Sequence, residues 1–251
     1  MRILLTNDDG IQAIGLRALF KALVDAGHDV DVVAPISEQS AVGHAVTLSS
    51  PLQVKEFKEN GFRGKGVSGT PVDCVKLALS TLLDEKPDVV VSGINSGANV
   101  GIDILYSGTV SAATEAAIMG YSALAVSMDN YNPTDLRGQA AYAVKLLGKI
   151  EWDKIPERRV MNLNFPDCPI EGVRGLKVCP HTRACYTDWY QIGKDPRGRP
   201  YYWLDGEIPD KNISVGRDRK LLSEKYVTLT PLMFDFNDVK CLEQLSELTD
   251  I

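Results

Sequence analysis

The sequence predicts an α/β fold: a Rossmann-like parallel sheet with helices on both faces, followed by a C-terminal β-rich arm and a closing helix. Short continuous apolar runs recur at Ile3-Leu4-Leu5, at Val30, Val32 and Val33, at Val89-Val90-Val91 and from Ala123 to Val126. Runs of that length and composition are strands buried on both faces. Between them the apolar residues fall at helical spacing. Strand and helix signals in alternation build a sheet from βαβ units.

The elements follow in order. Leu16, Leu19, Phe20 and Leu23 sit at i, i+3, i+4, i+7 and give the first helix, which Gly27 is placed to cap. Ala34-Pro35 closes the second strand. A β-rich detour with glycines is expected from about Val42 to Val67. Thr70-Pro71-Val72-Asp73 opens a helix, with Thr70 as cap, Pro71 in the first turn and Asp73 returning a capping-box bond. Val72, Val75, Leu79 and Leu82 form its apolar face. A glycine-rich stretch from Gly93 to Gly108 leads into a helix from Thr109 to Met119, and another helix is expected from Leu136 to Leu147. Beyond Pro156 the pattern changes. Arg159 to Phe165 and Tyr226 to Thr230 read as strands, with Pro231 ending the second, and Val239 to Leu248 reads as the last helix. Residues 179–215, rich in Tyr, Trp, Gly, Pro and charge, lack helical periodicity and are expected to form an extended hairpin within a single domain spanning 1–251. Its aromatics suit either a subunit interface or packing on the body.

The chain has 251 residues, 27 basic and 33 acidic, a formal net charge of −6. Readers of long nucleic acid carry a basic surplus, so that class is disfavoured. A small phosphorylated ligand is not, since one site can be locally positive. No apolar run approaches the roughly 18–20 residues of a membrane span. Asn7, Asp8 and Asp9 interrupt the first apolar stretch, so no secretory signal is expected and the five cysteines are read as reduced thiols of a cytoplasmic protein. Cys179, His181 and Cys185 have a metal-like spacing, but no fourth ligand accompanies them and a zinc site is disfavoured.

Ligands of such sheets sit beyond the C-terminal ends of the strands. Three polar clusters fall there. Asp8 and Asp9 follow the first strand, where Gly10 permits the turn that lets adjacent carboxylates converge. Convergent carboxylates suit a hard divalent ion such as Mg²⁺ or Mn²⁺. The alternative is that both cap the following helix. Ser40 and His44 lie in the loop after the second strand: Ser40 as a neutral metal ligand, a phosphate donor or a solvated residue, and His44 as an acid–base group or a structural histidine. Ser92 to Gly101 supplies glycines and the amides of Asn95 and Asn99, yet matches neither a P-loop nor a dinucleotide fingerprint. Ser107-Gly108-Thr109 opens a helix, as an anion cradle or as an ordinary N-cap.

The chain resembles the SurE (survival protein E) family of metal-dependent nucleotidases. Thr6-Asn7-Asp8-Asp9-Gly10-Ile11, Ala34-Pro35 with Gln39-Ser40 and Gly43-His44, and Ser68-Gly69-Thr70-Pro71 with Asp73-Cys74-Val75 carry the resemblance. Ser92-Gly93-Ile94-Asn95 with Gly97 and Asn99, Tyr106-Ser107-Gly108-Thr109-Val110 with Ala112-Ala113 and Glu115-Ala116, Asn162 to Pro166 and Tyr226 to Leu232 extend it over nearly the whole chain. Lys225 departs from it, standing where glycine is expected, and Ser214 to Leu222 fits it loosely. The resemblance implies one divalent ion per subunit held by Asp8, Asp9, Ser40 and Asn95, with Asp8 and Asp9 catalytic. It implies a phosphate site at Asn95, Ser107, Gly108 and Thr109, and substrate contacts at Asn7, Gly43, His44 and Asn99. It further implies hydrolysis of nucleoside 5′- and 3′-monophosphates, with short polyphosphate as an extra substrate, and a homodimer or homotetramer built through the arm. Two other readings compete: a nucleotide-sensing module without turnover, and a haloacid-dehalogenase-like phosphatase, whose two aspartates would be spaced by one residue. A scaffold whose arm only assembles oligomers is a third.

Overall fold

The computed structural model describes residues 1–246 and arranges them around a nine-stranded, mostly parallel sheet. Its strands are β1 (Arg2–Thr6), β2 (Asp29–Pro35), β3 (Val54–Glu59), β4 (Phe62–Val67), β5 (Val89–Ser96), β6 (Ser122–Met128), β7 (Arg159–Phe165) and β8 (Leu176–Val178). β9 (Thr187–Lys194) and β10 (Pro200–Glu207) form a separate antiparallel hairpin, and β11 (Val227–Met233) returns to the sheet. The helices are α1 (Ile14–Asp25), α2 (Pro71–Leu77), α3 (Gly108–Ile118), α4 (Arg137–Leu147), α5 (Asp218–Ser223) and α6 (Val239–Leu245). The sequence places the last helix over 239–248; its final residues lie outside those described.

Strand order is β3-β4-β2-β1-β5-β6-β7-β11-β8. From β1 the chain winds outward through β2 to β4, then crosses to the other side of β1 and winds through β5, β6 and β7. All pairings along that path are parallel. The reversal of winding leaves a crevice between the C-terminal ends of β1 and β5, the topological switch point at which such sheets bind ligands.

Both faces of the sheet are covered. Ile3 and Leu5 of β1 pack with Leu16, Leu19 and Leu23 of α1 and with Ala140, Ala143 and Leu147 of α4. Leu4, facing the other way, packs with Cys74 and Val75 of α2 and with Val110, Ala113 and Ala117 of α3. The period-2 alternation of a strand divides three consecutive apolar residues between two cores.

Local chemistry ends the helices where expected. After α1, Gly27 N–H donates to the Val24 carbonyl and His28 N–H to the Leu23 carbonyl, a Schellman closure with Gly27 at positive φ. At α2, Thr70 Oγ1 accepts from Asp73 N–H at 3.1 Å and Asp73 Oδ2 accepts from Thr70 N–H at 2.9 Å, a complete capping box.

Three readings change. Of the expected β-rich detour only residues 54–67 pair as strands. Residues 42–53 are irregular because α2 satisfies part of their backbone: Thr47 N–H donates to Asp73, and the Ala45 carbonyl accepts from Thr70 Oγ1. Pro231 does not end its strand, since β11 runs through it to Met233. The Leu229 carbonyl accepts from Cys179 N–H, so alternate residues turn their polar groups toward β8, and Pro231 falls on that side after β8 has stopped at Val178. Its missing N–H therefore breaks no ladder. Lys225 takes φ +64°, the left-handed region glycine enters freely, which accounts for the glycine expected there.

Asp73 is buried and accepts from Thr47 N–H, Thr47 Oγ1 and Thr70 N–H. Burial pushes its carboxyl up, but these hydrogen bonds outweigh burial and hold it below the usual range. A depressed folded-state pKa adds stability above the unfolded value, which is lost as pH falls through the folded value. Asp73→Asn is therefore expected to lower stability by about 2 kcal/mol at neutral pH. The gap to wild type should close as pH drops below about 4, read from urea unfolding midpoints across pH.

Candidate active site

The turn after β1 starts from a carboxylate that is almost wholly buried. Asp8 Oδ2 accepts from Thr109 N–H at 2.9 Å, and Asp8 Oδ1 accepts from Thr109 Oγ1. The residue that opens β1's turn is thus bonded to the first turn of α3, not to α1, whose N-cap Ala13 receives no side-chain bond and whose first turn holds no acid. Capping of the following helix is thereby excluded for both aspartates. Gly108 makes the contact sterically possible: a Cβ there would lie 2.8 Å from Asp8 Cβ. Burial pushes the Asp8 carboxyl up to about 6; the Thr109 bonds oppose this and the neighbouring Asp9 reinforces it.

Asp9 reaches the other way, toward β5, where its Oδ2 accepts from Ser96 N–H at 2.9 Å. Burial raises its carboxyl too, the Ser96 bonds oppose, and Glu38 adds repulsion. Gly10, at φ +99°, turns the chain away, and Asn7 Nδ2 holds that turn by donating to the Gly10 carbonyl at 2.9 Å. The loop after β2 is tied to the same turn: Gln39 N–H donates to the Asp8 carbonyl at 2.8 Å, and Ser40 Oγ donates to Glu38 Oε1 at 2.5 Å. From β5, Asn95 Nδ2 donates one of its two hydrogens to the Gly97 carbonyl at 2.7 Å, which orients the amide and leaves its oxygen for a ligand.

Asp8, Asp9, Ser40 and Asn95 line one cavity of about 830 Å³, together with Glu38, Asn99, Asp103, Tyr106, Ser107, Tyr131 and Tyr186. The described residues lining it include four carboxylates and no lysine, arginine or histidine. Its oxygen donors are hard, and the two central carboxylates, one buried and one partly buried, have no basic side chain among the described lining. That donor set fits a Mg²⁺- or Mn²⁺-like ion and does not fit a soft metal.

The other sequence candidates separate. Ser107 lines the cavity while its Oγ accepts from Val110 N–H as the α3 cap. Thr109 does not reach the cavity; it is fully buried, because Asp8 takes both its donors. Asn95 lines the cavity and, with one N–H on the Gly97 carbonyl, keeps its second N–H and its oxygen. Asn7 lies beneath the turn, fully buried. His44 Nε2 is 2.8 Å from Glu115 Oε2, and Glu115 also accepts from Lys76 Nζ at 2.7 Å. Gly43 N–H donates to the Tyr106 carbonyl. His44 therefore pins the Ser40 loop to α3 and Gly43 pins it to the segment before α3, and neither is among the residues that line the cavity. Asn99 does face it, held by Asn164 Oδ1, Ser127 Oγ and Asn162 Nδ2.

Sequence reasoning missed this clamp on Asn99, although the Asn-x-Asn spacing on β7 puts both amides on one face of the strand. It also missed Glu38, Asp103 and the three tyrosines. Asp103 accepts from Arg219 of α5, and Tyr186 lies at the root of the arm, so no local pattern joins them. Cys179 is buried beside Thr230, and Cys185 is exposed.

The family model for survival protein SurE matches residues 3–188. The chain belongs to the SurE family. The 5′-nucleotidase SurE of Nitratidesulfovibrio vulgaris (strain Miyazaki F) is 64% identical over 248 residues, covering 99% of this chain and 92% of that protein. The 5′-nucleotidase SurE of Maridesulfovibrio salexigens is 61% identical over 247 residues, with 98% of each covered. The crystal structure of the SurE protein from Aquifex aeolicus superposes with a TM-score of 0.86 at 35% identity, covering all of both chains. The parallel sheet and its switch-point crevice are thus those of a SurE fold.

Two substitutions test the joint between β1 and α3. Thr109→Val removes a hydroxyl from a buried carboxylate and should cost about 1.5–3 kcal/mol of stability. Gly108→Ala should cost at least as much, since its Cβ meets the base of the Asp8 side chain and not a flexible end. Chemical unfolding of the chelated protein reads both.

Proposed function

We propose that this SurE-family chain is a 5′-nucleotidase, a divalent-metal-dependent phosphatase that releases phosphate from nucleoside monophosphates. The carrying observation is a cavity at the β1/β5 switch point walled by carboxylates and neutral oxygens with no basic side chain among its described lining. An anionic substrate enters such a cavity only with a cation. Asp8, Asp9, Ser40 and Asn95 are the residues that would hold it. A bound Mg²⁺ or Mn²⁺ supplies positive charge for the phosphoryl oxygens and acidifies a water molecule.

The chain's own groups divide the remaining work. Asp8, with both oxygens fixed by Thr109, is a rigid ligand and a poor nucleophile. Asp9 has one oxygen bonded to Ser96 and one left over, so it is the group that orients the attacking water and takes its proton. Ser107, which lines the cavity at the start of α3, would donate to the phosphoryl oxygens, with the Gly108 amide next to it in the chain. These groups touch only phosphate, so the same site accepts nucleoside 3′-monophosphates and the terminal phosphate of short polyphosphate. The exposed Trp189, Tyr190, Ile192, Tyr202, Trp203 and Leu204 of the β9–β10 hairpin support a homodimer or homotetramer assembled through the arm. Five free cysteines support a reducing, cytoplasmic location, and no helix of the described residues is long and apolar enough to cross a membrane.

Phosphate release from AMP or GMP is expected with Mn²⁺ or Mg²⁺ and is expected to vanish on chelation. Asp9→Asn should lower kcat about 100-fold or more, and Ser40→Ala should weaken metal binding measured by calorimetry. Binding of AMP without any release would favour a sensing module instead. Removal of the hairpin should reduce the mass seen by light scattering; an unchanged mass would count against assembly through the arm.

A further inference from the structure

The cavity is larger than a cation and a phosphate need, and part of its lining is aromatic. Tyr106, Tyr131 and Tyr186 line it together with the carboxylates. Tyr131 differs from the other two. It is 79% exposed although it lines the cavity. Its ring lies against the backbone of Gly97, where an added Cβ would come within 2.8 Å of Tyr131 Cε1. Only glycine leaves room for a ring that close. Gly97 N–H donates to the Met128 carbonyl, and the Gly97 carbonyl accepts from Asn95, so the surface under the ring is fixed to β6 and to the cation-holding segment. The ring is therefore backed on one side by rigid peptide and otherwise mostly open to solvent and the cavity.

We propose that Tyr131 is the stacking platform for the nucleobase, a specificity-determining residue that separates nucleotides from other phosphomonoesters. The proposal rests on the nucleotidase reading of the same cavity. A cavity of about 830 Å³ leaves space for a sugar between a phosphate at the carboxylates and a base on Tyr131. Every base presents a π-face, so a tyrosine platform binds bases as a class and favours the larger purines. Tyr186 has a different task. Its phenol is held near Asp103 and Arg219, which fixes the arm root at the cavity mouth.

The test compares AMP with ribose 5-phosphate, which carries the same phosphate and sugar without a base, with Mn²⁺ present throughout. Tyr131→Ala is expected to raise the KM and the Kd of AMP roughly tenfold, leave ribose 5-phosphate unchanged and spare kcat for both. Tyr131→Phe keeps the ring and should behave as wild type. The exposure of Tyr131 makes a folding defect in these variants unexpected, and unchanged handling of ribose 5-phosphate checks that directly. Equal effects of Tyr131→Ala on the two substrates, or no effect on AMP, would overturn the platform while leaving the nucleotidase reading intact. Failure of the wild type to release phosphate from either substrate would instead overturn the nucleotidase reading, and the platform with it.

Discussion

The Asp8 carboxylate is buried at the end of β1 and held there by two hydrogen bonds from Thr109. That joint sets the distance between the central strand and the helix on one of its faces, and Gly108 keeps it short. The rest of the site is registered to it. Gln39 bonds to the backbone of Asp8 and brings in the loop with Ser40, and Asp9, one residue on, reaches Ser96 at the end of β5. Three loops from distant parts of the sequence are thus fixed to one dipeptide. The helix-start donors that a sequence reading assigns to phosphate are largely consumed in making this joint. Of that segment, Ser107 lines the cavity.

Electrostatics follows from the same placement. Burial raises both aspartates, and Glu38 and Asp103 add negative charge to a cavity without a basic wall. Such a site is poorly matched to a phosphate by itself and well matched to a cation that a phosphate can then meet. The positive groups nearby are committed elsewhere. Lys76 and His44 meet at Glu115, whose carboxyl burial would raise but their hydrogen bonds hold below its ordinary range. Arg219 is bonded to Asp103. The overall charge of −6 therefore fits a site where the positive charge is borrowed.

The arm is tied to the site at its root. Asp218, fully buried, accepts from Gly101 N–H and Thr182 N–H, joining the segment before α3 to the start of the hairpin region. Tyr186 continues from there to the cavity. Whatever packs on the outer hairpin is mechanically linked, through a buried carboxylate, to the segment that leads into α3.

The sequence by itself determined the architecture. Buried strands write themselves as Val/Ile/Leu runs, amphipathic helices as 3.6-residue periodicity, and the Thr70–Asp73 box and Gly27 turn are local chemistry that needs no distant partner. It also determined which oxygen donors gather, because strand ends in a parallel sheet share one edge. Tertiary structure decided what those donors do. That Asp8 bonds α3 and not α1, that Thr109 faces inward, and that His44 braces a loop against Glu115 depend on partners 71 to 101 residues away. Pro231 was legible only as a strand breaker until the neighbour it would have disrupted proved to stop short. The aromatic wall was hidden for the same reason: Tyr106, Tyr131 and Tyr186 share no motif, and only the folded chain lays one of their rings on Gly97.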